Sequence, residues 1–265
     1  MDLKIRDRVA IITGATDGMG FETARILAEE GCKLVLSDLE IDQLEKDAAA
    51  LPGEVVCIKA DVTEAAEIDA IAKAALDRFG RIDIVVHTSG ITGAKGDPLE
   101  VTDADYLEAW EIDFLSAVRI ARATFPAMRK NGWGRFVCIT SENSVQPYWE
   151  EATYNTAKAA LGAFVKNLSY EEAKHGILCN TVAPAFIETA MTEGMMKQRA
   201  EKMGVSFEEA VKTFLDEERP GIALKRRGRA DEVAAAIALI VSERGSFING
   251  SNMRIDGGSV QAVQN

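Results

Sequence analysis

Eight residues near the start of the chain restrict its fold more than any others. Thr13-Gly14-Ala15-Thr16-Asp17-Gly18-Met19-Gly20 directly follows an apolar run at residues 8–13 and opens a segment of helical periodicity at 20–30. Glycines let the backbone turn sharply and approach a pyrophosphate closely. The helix N-terminus behind them supplies N–H donors and the positive end of a dipole. A glycine-rich stretch alone is only a turn; the strand–loop–helix context is what a dinucleotide-binding unit requires, and it is present.

The rest of the chain repeats that rhythm. Short runs at 33–37, 55–59, 82–88, 135–140, 177–182 and 253–256 are apolar nearly throughout, as strands covered on both faces should be. Helical patterns lie between them at 41–50, 64–79, 103–130 and 152–174. Asp61-Val62-Thr63-Glu64 and Val101-Thr102-Asp103-Ala104 place capping residues before two of these. Strand–helix alternation implies right-handed crossovers, which predicts an α/β fold. The expected architecture is a doubly wound parallel sheet (Rossmann-like), flanked by helices on both faces, in a single domain over 1–265. Residues 190–227 break the rhythm with an amphipathic, Met-rich pattern that includes Met191, Met195, Met196, Met203, Phe207, Phe214 and Leu215. Flexible Met-rich surfaces suit adaptable apolar contact, so this insertion reads as a small helical substrate lid or as ordinary helix packing. The 152–174 helix is apolar or small around more of its circumference than one sheet face needs. That excess predicts a subunit contact and a homo-oligomer, dimer or tetramer.

Charge and cysteine usage remove other classes. Thirty Lys and Arg face forty-two Asp and Glu, for a net charge of −12. Such a balance argues against a nucleic-acid partner. No stretch approaches the roughly 18 apolar residues of a membrane span, so no membrane partner is expected. Cys32, Cys57, Cys138 and Cys179 are scattered, with no CxxC pair and no Cys/His cluster, so no metal site is expected. Reduced thiols and an N-terminus without an apolar signal core suggest a cytoplasmic protein.

The second strand carries the choice of cofactor. Asp38 lies 18 residues after Gly20, at the end of the 33–37 run. A carboxylate there accepts hydrogen bonds from ribose hydroxyls and repels a 2′-phosphate, which favours NAD (NADH) over NADP. Leu39, where a phosphate-binding Arg would sit, and Asp17 in the loop point the same way.

Tyr154-Asn155-Thr156-Ala157-Lys158 then connects these features. Together with the 13–20 loop, Asp61-Val62, Ser141 thirteen residues before Tyr154, and Asn180-Thr181-Val182-Ala183-Pro184, it makes the chain resemble the short-chain dehydrogenase/reductase family over essentially its whole length. The chemistry can be read beside that resemblance. Residues at i and i+4 share a helix face, so Lys158 sits one turn from Tyr154. An ammonium favours phenolate over phenol and fits Tyr154 for general acid/base work. Ser141 can hold the substrate oxygen. The resemblance implies that Thr13, Gly14, Thr16, Asp17, Gly18, Met19 and Gly20 cradle the cofactor, with Asp38 and Leu39 at the ribose. It further implies that Asp61 and Val62 contact adenine, that Thr88, Ser89 and Gly90 border the cofactor, and that Lys158 binds the nicotinamide ribose. Pro184, Ile187 and Thr189 resemble the segment that grips the carboxamide.

Three positions depart from the family pattern. His87-Thr88-Ser89-Gly90 stands where Asn-Asn-Ala-Gly is common, which removes Asn side-chain bonds and makes His87 a substitute structural hydrogen-bonder in preference to an acid–base residue. Asp113 replaces the usual Asn of a proton relay and is a candidate relay or catalytic residue. Ala185 stands where Gly usually follows Pro184 and requires a negative φ. The expected reaction is NAD-dependent interconversion of a secondary alcohol and a ketone of moderate, neutral character. Glu142, Asn143, Trp149, Glu150 and Glu151 either face that small-molecule substrate or face solvent, and Arg226 or Arg227 would be needed to admit an anion. A non-catalytic NAD(H)-binding sensor or scaffold remains the alternative. An isomerase or dehydratase is a third reading, although the family branches with those activities usually have longer chains.

Overall fold

The computed structural model describes residues 1–263. Seven strands form one parallel sheet in the order β3-β2-β1-β4-β5-β6-β7. They are β1 (Val9–Thr13), β2 (Lys33–Asp38), β3 (Val55–Lys59), β4 (Ile84–His87), β5 (Gly134–Ile139), β6 (Ile177–Pro184) and β7 (Asn252–Ile255). The helices are α1 (Gly18–Glu29), α2 (Ile41–Ala48), α3 (Ala65–Phe79), α4 (Asp103–Trp110), α5 (Ser116–Asn131), α6 (Ala152–Glu172), α7 (Ala190–Met203), α8 (Phe207–Glu217) and α9 (Ala230–Ile240).

The continuous apolar runs are explained by two cores. Side chains alternate across a strand, so Ala10 and Ile12 pack on one face with Leu27 of α1 and Ile237 of α9. Val9 and Ile11 pack on the other with Ile71 of α3, Phe125 of α5 and Leu161 of α6. Each fully buried Ile or Leu contributes about 1.5–3 kcal/mol, which rewards filling both faces.

The order of strands also locates the site. From β1 the chain winds outward through β2 and β3, then returns to place β4 on β1's other side, in register Thr13↔His87. The crevice at the carboxyl ends of β1 and β4 is therefore the topological switch point, where open α/β sheets bind ligands.

Three local expectations are corrected. The 103–130 helix is interrupted by a π turn at Glu111–Leu115, which separates α4 from α5. Asp61 does not cap α3; its carboxylate accepts from the N–H and hydroxyl of Thr63, and the cap position is Glu64 without a side-chain bond. Thr102 does cap α4, in a reciprocal box with Asp105. The single pattern at 190–227 is two helices, α7 and α8, followed by an irregular stretch. Finally, α9 lies outside the expected helices: Val233, Ala234, Ile237, Ala238 and Ile240 are its buried residues, but Ala235, Ala236 and Leu239 on its less buried side are apolar too, so no amphipathic stripe announces it.

Candidate active site

A cleft of about 470 Å³ opens at the switch point. Its nucleotide-sized half begins at the end of β1. Gly14 takes a φ of +66°, and a Cβ on Gly20 would lie 2.1 Å from the Gly14 carbonyl oxygen, so the first turn of α1 seats on the loop only with glycine there. Gly14, Asp17, Met19 and Gly20 line the cleft. Gly18 begins α1 at a φ of +52°. The Thr16 N–H donates to Asp38 Oδ2 at 3.0 Å, and the Leu39 N–H donates to Oδ1 at 2.7 Å. Asp38 thus ties the loop to the end of β2 while still lining the cleft beside the exposed Leu39. Thr16 Oγ1 is buried and has no hydrogen-bond partner among the described residues. Thr13, Thr16 and Gly18 do not line the cleft, but the glycine cradle at the helix N-terminus fits a dinucleotide phosphate. Asp61 and Val62 border the same half after β3, and the turn with Thr63 holds the Asp61 carboxyl below its ordinary range.

Thr88, Ser89 and Gly90 line the cleft at the end of β4. The bonds expected to be lost there are replaced. The Thr88 hydroxyl donates to the Thr13 and Gly14 carbonyls at 2.7 and 3.0 Å. His87 Nδ1 lies 2.7 Å from Thr13 Oγ1, and its Nε2 lies 2.8 Å from Ser116 Oγ. The Ser116 hydroxyl donates to the Ile112 carbonyl, so Nε2 carries the proton and Nδ1 accepts from Thr13. Burial and then Lys158 push His87 down to about 3, so a neutral imidazole stitches β4 to β1 and to α5.

The other half is built on β5 and α6. Ser141 ends β5's extension, donating to Asn143 Oδ1 at 3.1 Å and accepting from the Asn143 N–H at 3.2 Å. Tyr154 and Lys158 sit in the first turns of α6, with Lys158 Nζ 5.5 Å from the centre of the Tyr154 ring. Nζ also donates to the Ile139 carbonyl at 3.1 Å and lies 3.2 Å from Asp113 Oδ1. Ser141, Tyr154 and Lys158 all line the cleft, but Asp113 does not. It lies fully buried behind Lys158, presented by the π turn, and accepts the Ile91 N–H. Asp113 therefore touches the lysine rather than a substrate. A Cβ on Gly90 would lie 2.5 Å from Asp113 Oδ1 and 3.0 Å from Lys158 Nζ, so this glycine makes room for the ion pair.

Electrostatics here differ from expectation. Burial raises the Tyr154 hydroxyl; Lys158 opposes it, and Asp113 adds to it. Lys158 acts in the anticipated direction, but burial wins, and Tyr154 is a phenol at neutral pH. Burial alone would lower Lys158; Asp113 and Tyr154 reverse that and raise it, so it is firmly an ammonium. Burial raises Asp113's carboxyl, against the pull of Lys158.

Pro184, Ile187 and Thr189 also line the cleft, and Ala185 carries no positive φ. Thr189 caps α7 through a capping box with Thr192. Trp149 is 67% exposed and does not line the cleft, so it covers no ligand; Glu150 is likewise outside. Glu142, Asn143 and Glu151 are buried in its wall. Arg226 pairs with Glu232, and Arg227 with Glu188 and Glu193, both away from the cleft. The arginine that does line it is Arg219, with Lys95, Phe186 and Phe214. Phe214 belongs to the insertion read as a lid; no motif marks Arg219, Lys95 or Phe186. Among the described residues, no group of three or more His, Cys, Asp or Glu is placed to hold a metal, and no helix is long and apolar enough to cross a membrane.

A doubly wound sheet with a glycine cradle and a Ser–Tyr–Lys wall defines a class of nucleotide-dependent oxidoreductases. The profile of a family described as enoyl-(acyl carrier protein) reductase matches residues 14–260. The chain is 32% identical to levodione reductase of Leifsonia aquatica, over 98% of this chain and 96% of that protein. It is 30% identical to meso-2,3-butanediol dehydrogenase of Serratia marcescens, over 97% and 96%. The crystal structure of L-sorbose reductase from Gluconobacter frateurii, complexed with NADPH and L-sorbose, superposes with a TM-score of 0.94 at 31% identity, over 99% and 100%. The chain belongs to the short-chain dehydrogenase/reductase family.

Proposed function

We propose that the protein is an NAD(H)-dependent oxidoreductase that interconverts a secondary alcohol and a ketone, with Tyr154 as general acid/base. The observation that carries this reading is the convergence of Ser141, Tyr154 and Lys158 on the cleft that the glycine cradle opens. Relatives whose names describe dehydrogenases and reductases support it.

Gly14, Thr16, Asp17, Gly18, Met19 and Gly20 would hold the pyrophosphate, with Thr13 fixing the end of β1. Asp38 and Leu39 would take the adenosine ribose, and Asp61 and Val62 the adenine. Thr88, Ser89 and Gly90, with Pro184, Ile187 and Thr189, would border the nicotinamide. The bound nicotinamide supplies the hydride acceptor or donor and, when oxidised, a positive charge near the site. In the ketone-reducing direction the phenol of Tyr154 donates its proton to the carbonyl oxygen. In the oxidising direction the phenolate takes the proton of the alcohol. Ser141 orients that oxygen, and Lys158 stabilises the phenolate and would bind the nicotinamide ribose. Asp113 acts through Lys158 and is a positioning residue. Residues 190–227 would serve as the lid over the substrate, since Met191, Met195 and Phe214 line the cleft.

The preference for NAD rests on Asp38. The sorbose reductase is a complex with NADPH, so kinship with it does not favour NAD. In this chain a carboxylate and an exposed leucine stand where a 2′-phosphate would lie. We further propose a homo-oligomer, dimer or tetramer, joined through the exposed face of α6. Four free thiols suit the reducing cytoplasm. Fluorescence titration tests the cofactor: NADH should bind at least about tenfold more tightly than NADPH. NADPH binding as tightly or more tightly would overturn the preference.

A further inference from the structure

A set of charged side chains adjoins Ser141 that proton and hydride transfer leave without a role. Lys95 follows β4, Glu142 and Glu151 lie between β5 and α6, and Arg219 follows α8; all four line the cleft. Arg219 donates to both Glu151 oxygens at 2.9 and 3.0 Å, and Lys95 Nζ donates to Oε1 at 2.6 Å. Asn143 Nδ2 donates to Glu151 Oε2 at 2.7 Å, and Asn143 Oδ1 accepts from Ser141. One chain of hydrogen bonds therefore runs from the catalytic serine to an arginine of the lid segment. Arg219 Nε also lies 3.6 Å from Glu142 Oε1. Glu142 is only 2% exposed, and its Oε2 has no hydrogen-bond partner among the described residues.

Two cations and two carboxylates add no net charge, which sets what can lie against them. A hydrocarbon substrate would cover the half-exposed Lys95 ammonium and leave its spare donors and Glu142 Oε2 without a partner. An anionic substrate would meet two cations whose charge is already neutralised by Glu151, beside the Glu142 carboxylate. A hydroxyl group suits both signs, because it donates to a carboxylate and accepts from an ammonium or guanidinium. Met191, Met195 and Phe214 line the same cleft and offer apolar surface to the C–H face of a carbon chain. We infer that this part of the cleft binds a neutral, polyhydroxylated substrate, a small polyol or its ketose, with Glu151, Glu142 and Arg219 as its specificity-determining residues. This inference rests on the oxidoreductase reading and names its substrate class. The balance is that of the proposed reaction. The carbinol C–H would leave as hydride to the oxidised nicotinamide, the O–H proton would go to the phenolate form of Tyr154, and the C–O bond would become C=O.

The test compares kcat/KM for sorbitol and xylitol with that for 2-hexanol, and for fructose with that for 2-hexanone, in the wild type, Glu151→Gln and Arg219→Gln. The wild type should favour the polyhydroxylated substrates by at least about 10²-fold, because buried polar groups go unpaired with the monofunctional ones. Either substitution should lower kcat/KM at least tenfold more for polyols than for 2-hexanol, mainly through KM. Equal or better turnover of 2-hexanol and 2-hexanone by the wild type overturns the inference. So does an equal loss for both classes in the variants, which would mark Glu151 as a mere prop for Ser141. No turnover of any alcohol or ketone despite tight NADH binding would instead overturn the oxidoreductase reading beneath it.

Discussion

Asp113 and Gly90 explain each other. The carboxylate lies 3.2 Å from Lys158 and leaves no space for a side chain at position 90. The sequence marks Asp113 as a departure from the family pattern and Gly90 as a place for the cofactor to approach. It does not show that the two are neighbours, because they lie 23 positions apart with α4 between them. Nor does it reveal that burial outweighs Lys158 at Tyr154, since desolvation depends on what surrounds the ring. Asp113 raises Tyr154, and alcohol oxidation needs the phenolate. Removing that negative charge should therefore lower the pH at which oxidation becomes fast. In Asp113→Asn, the acidic limb of the kcat profile for alcohol oxidation should move toward lower pH. An unmoved profile, or one moved to higher pH, would contradict this. Asp113 would then be a packing residue only.

Strands and most helices were legible because their apolar periods are long and regular. The π turn at Glu111–Leu115 was not. It keeps helical backbone angles and apolar spacing, so 103–130 reads as one helix, and the single extra residue per turn leaves no mark in composition. That turn nonetheless aims Asp113 at Lys158. The glycine loop is the opposite case: its spacing states a steric fact that the coordinates repeat. A Cβ at Gly20 would press into the Gly14 carbonyl at 2.1 Å. Gly20→Ala should unseat the first turn of α1, costing about 1–3 kcal/mol in urea unfolding and weakening NADH binding. Wild-type stability together with wild-type affinity would refute that role for the loop.

At the scale of the molecule, strand alternation foretold the sheet, and its order placed the site. The make-up of the substrate region was not legible. Arg219 reaches Ser141's network only through the fold of a segment whose sequence reads as a generic amphipathic pattern. The helix expected to serve two interfaces has Ala159, Ala163 and Tyr170 exposed, on the side away from the sheet. Burying that stripe in a second copy would remove it from water, so light scattering should find a dimer or tetramer, and Ala159→Arg should shift it toward a smaller species. A wild-type monomer would contradict this.

The central claim is that Tyr154 moves the proton. Its most direct test is the steady-state rate of NADH formation or consumption in Tyr154→Phe, beside an NADH titration of the same variant. The account predicts a rate lower by about 10²–10⁴-fold with NADH affinity preserved. Unchanged turnover in the phenylalanine variant would contradict it.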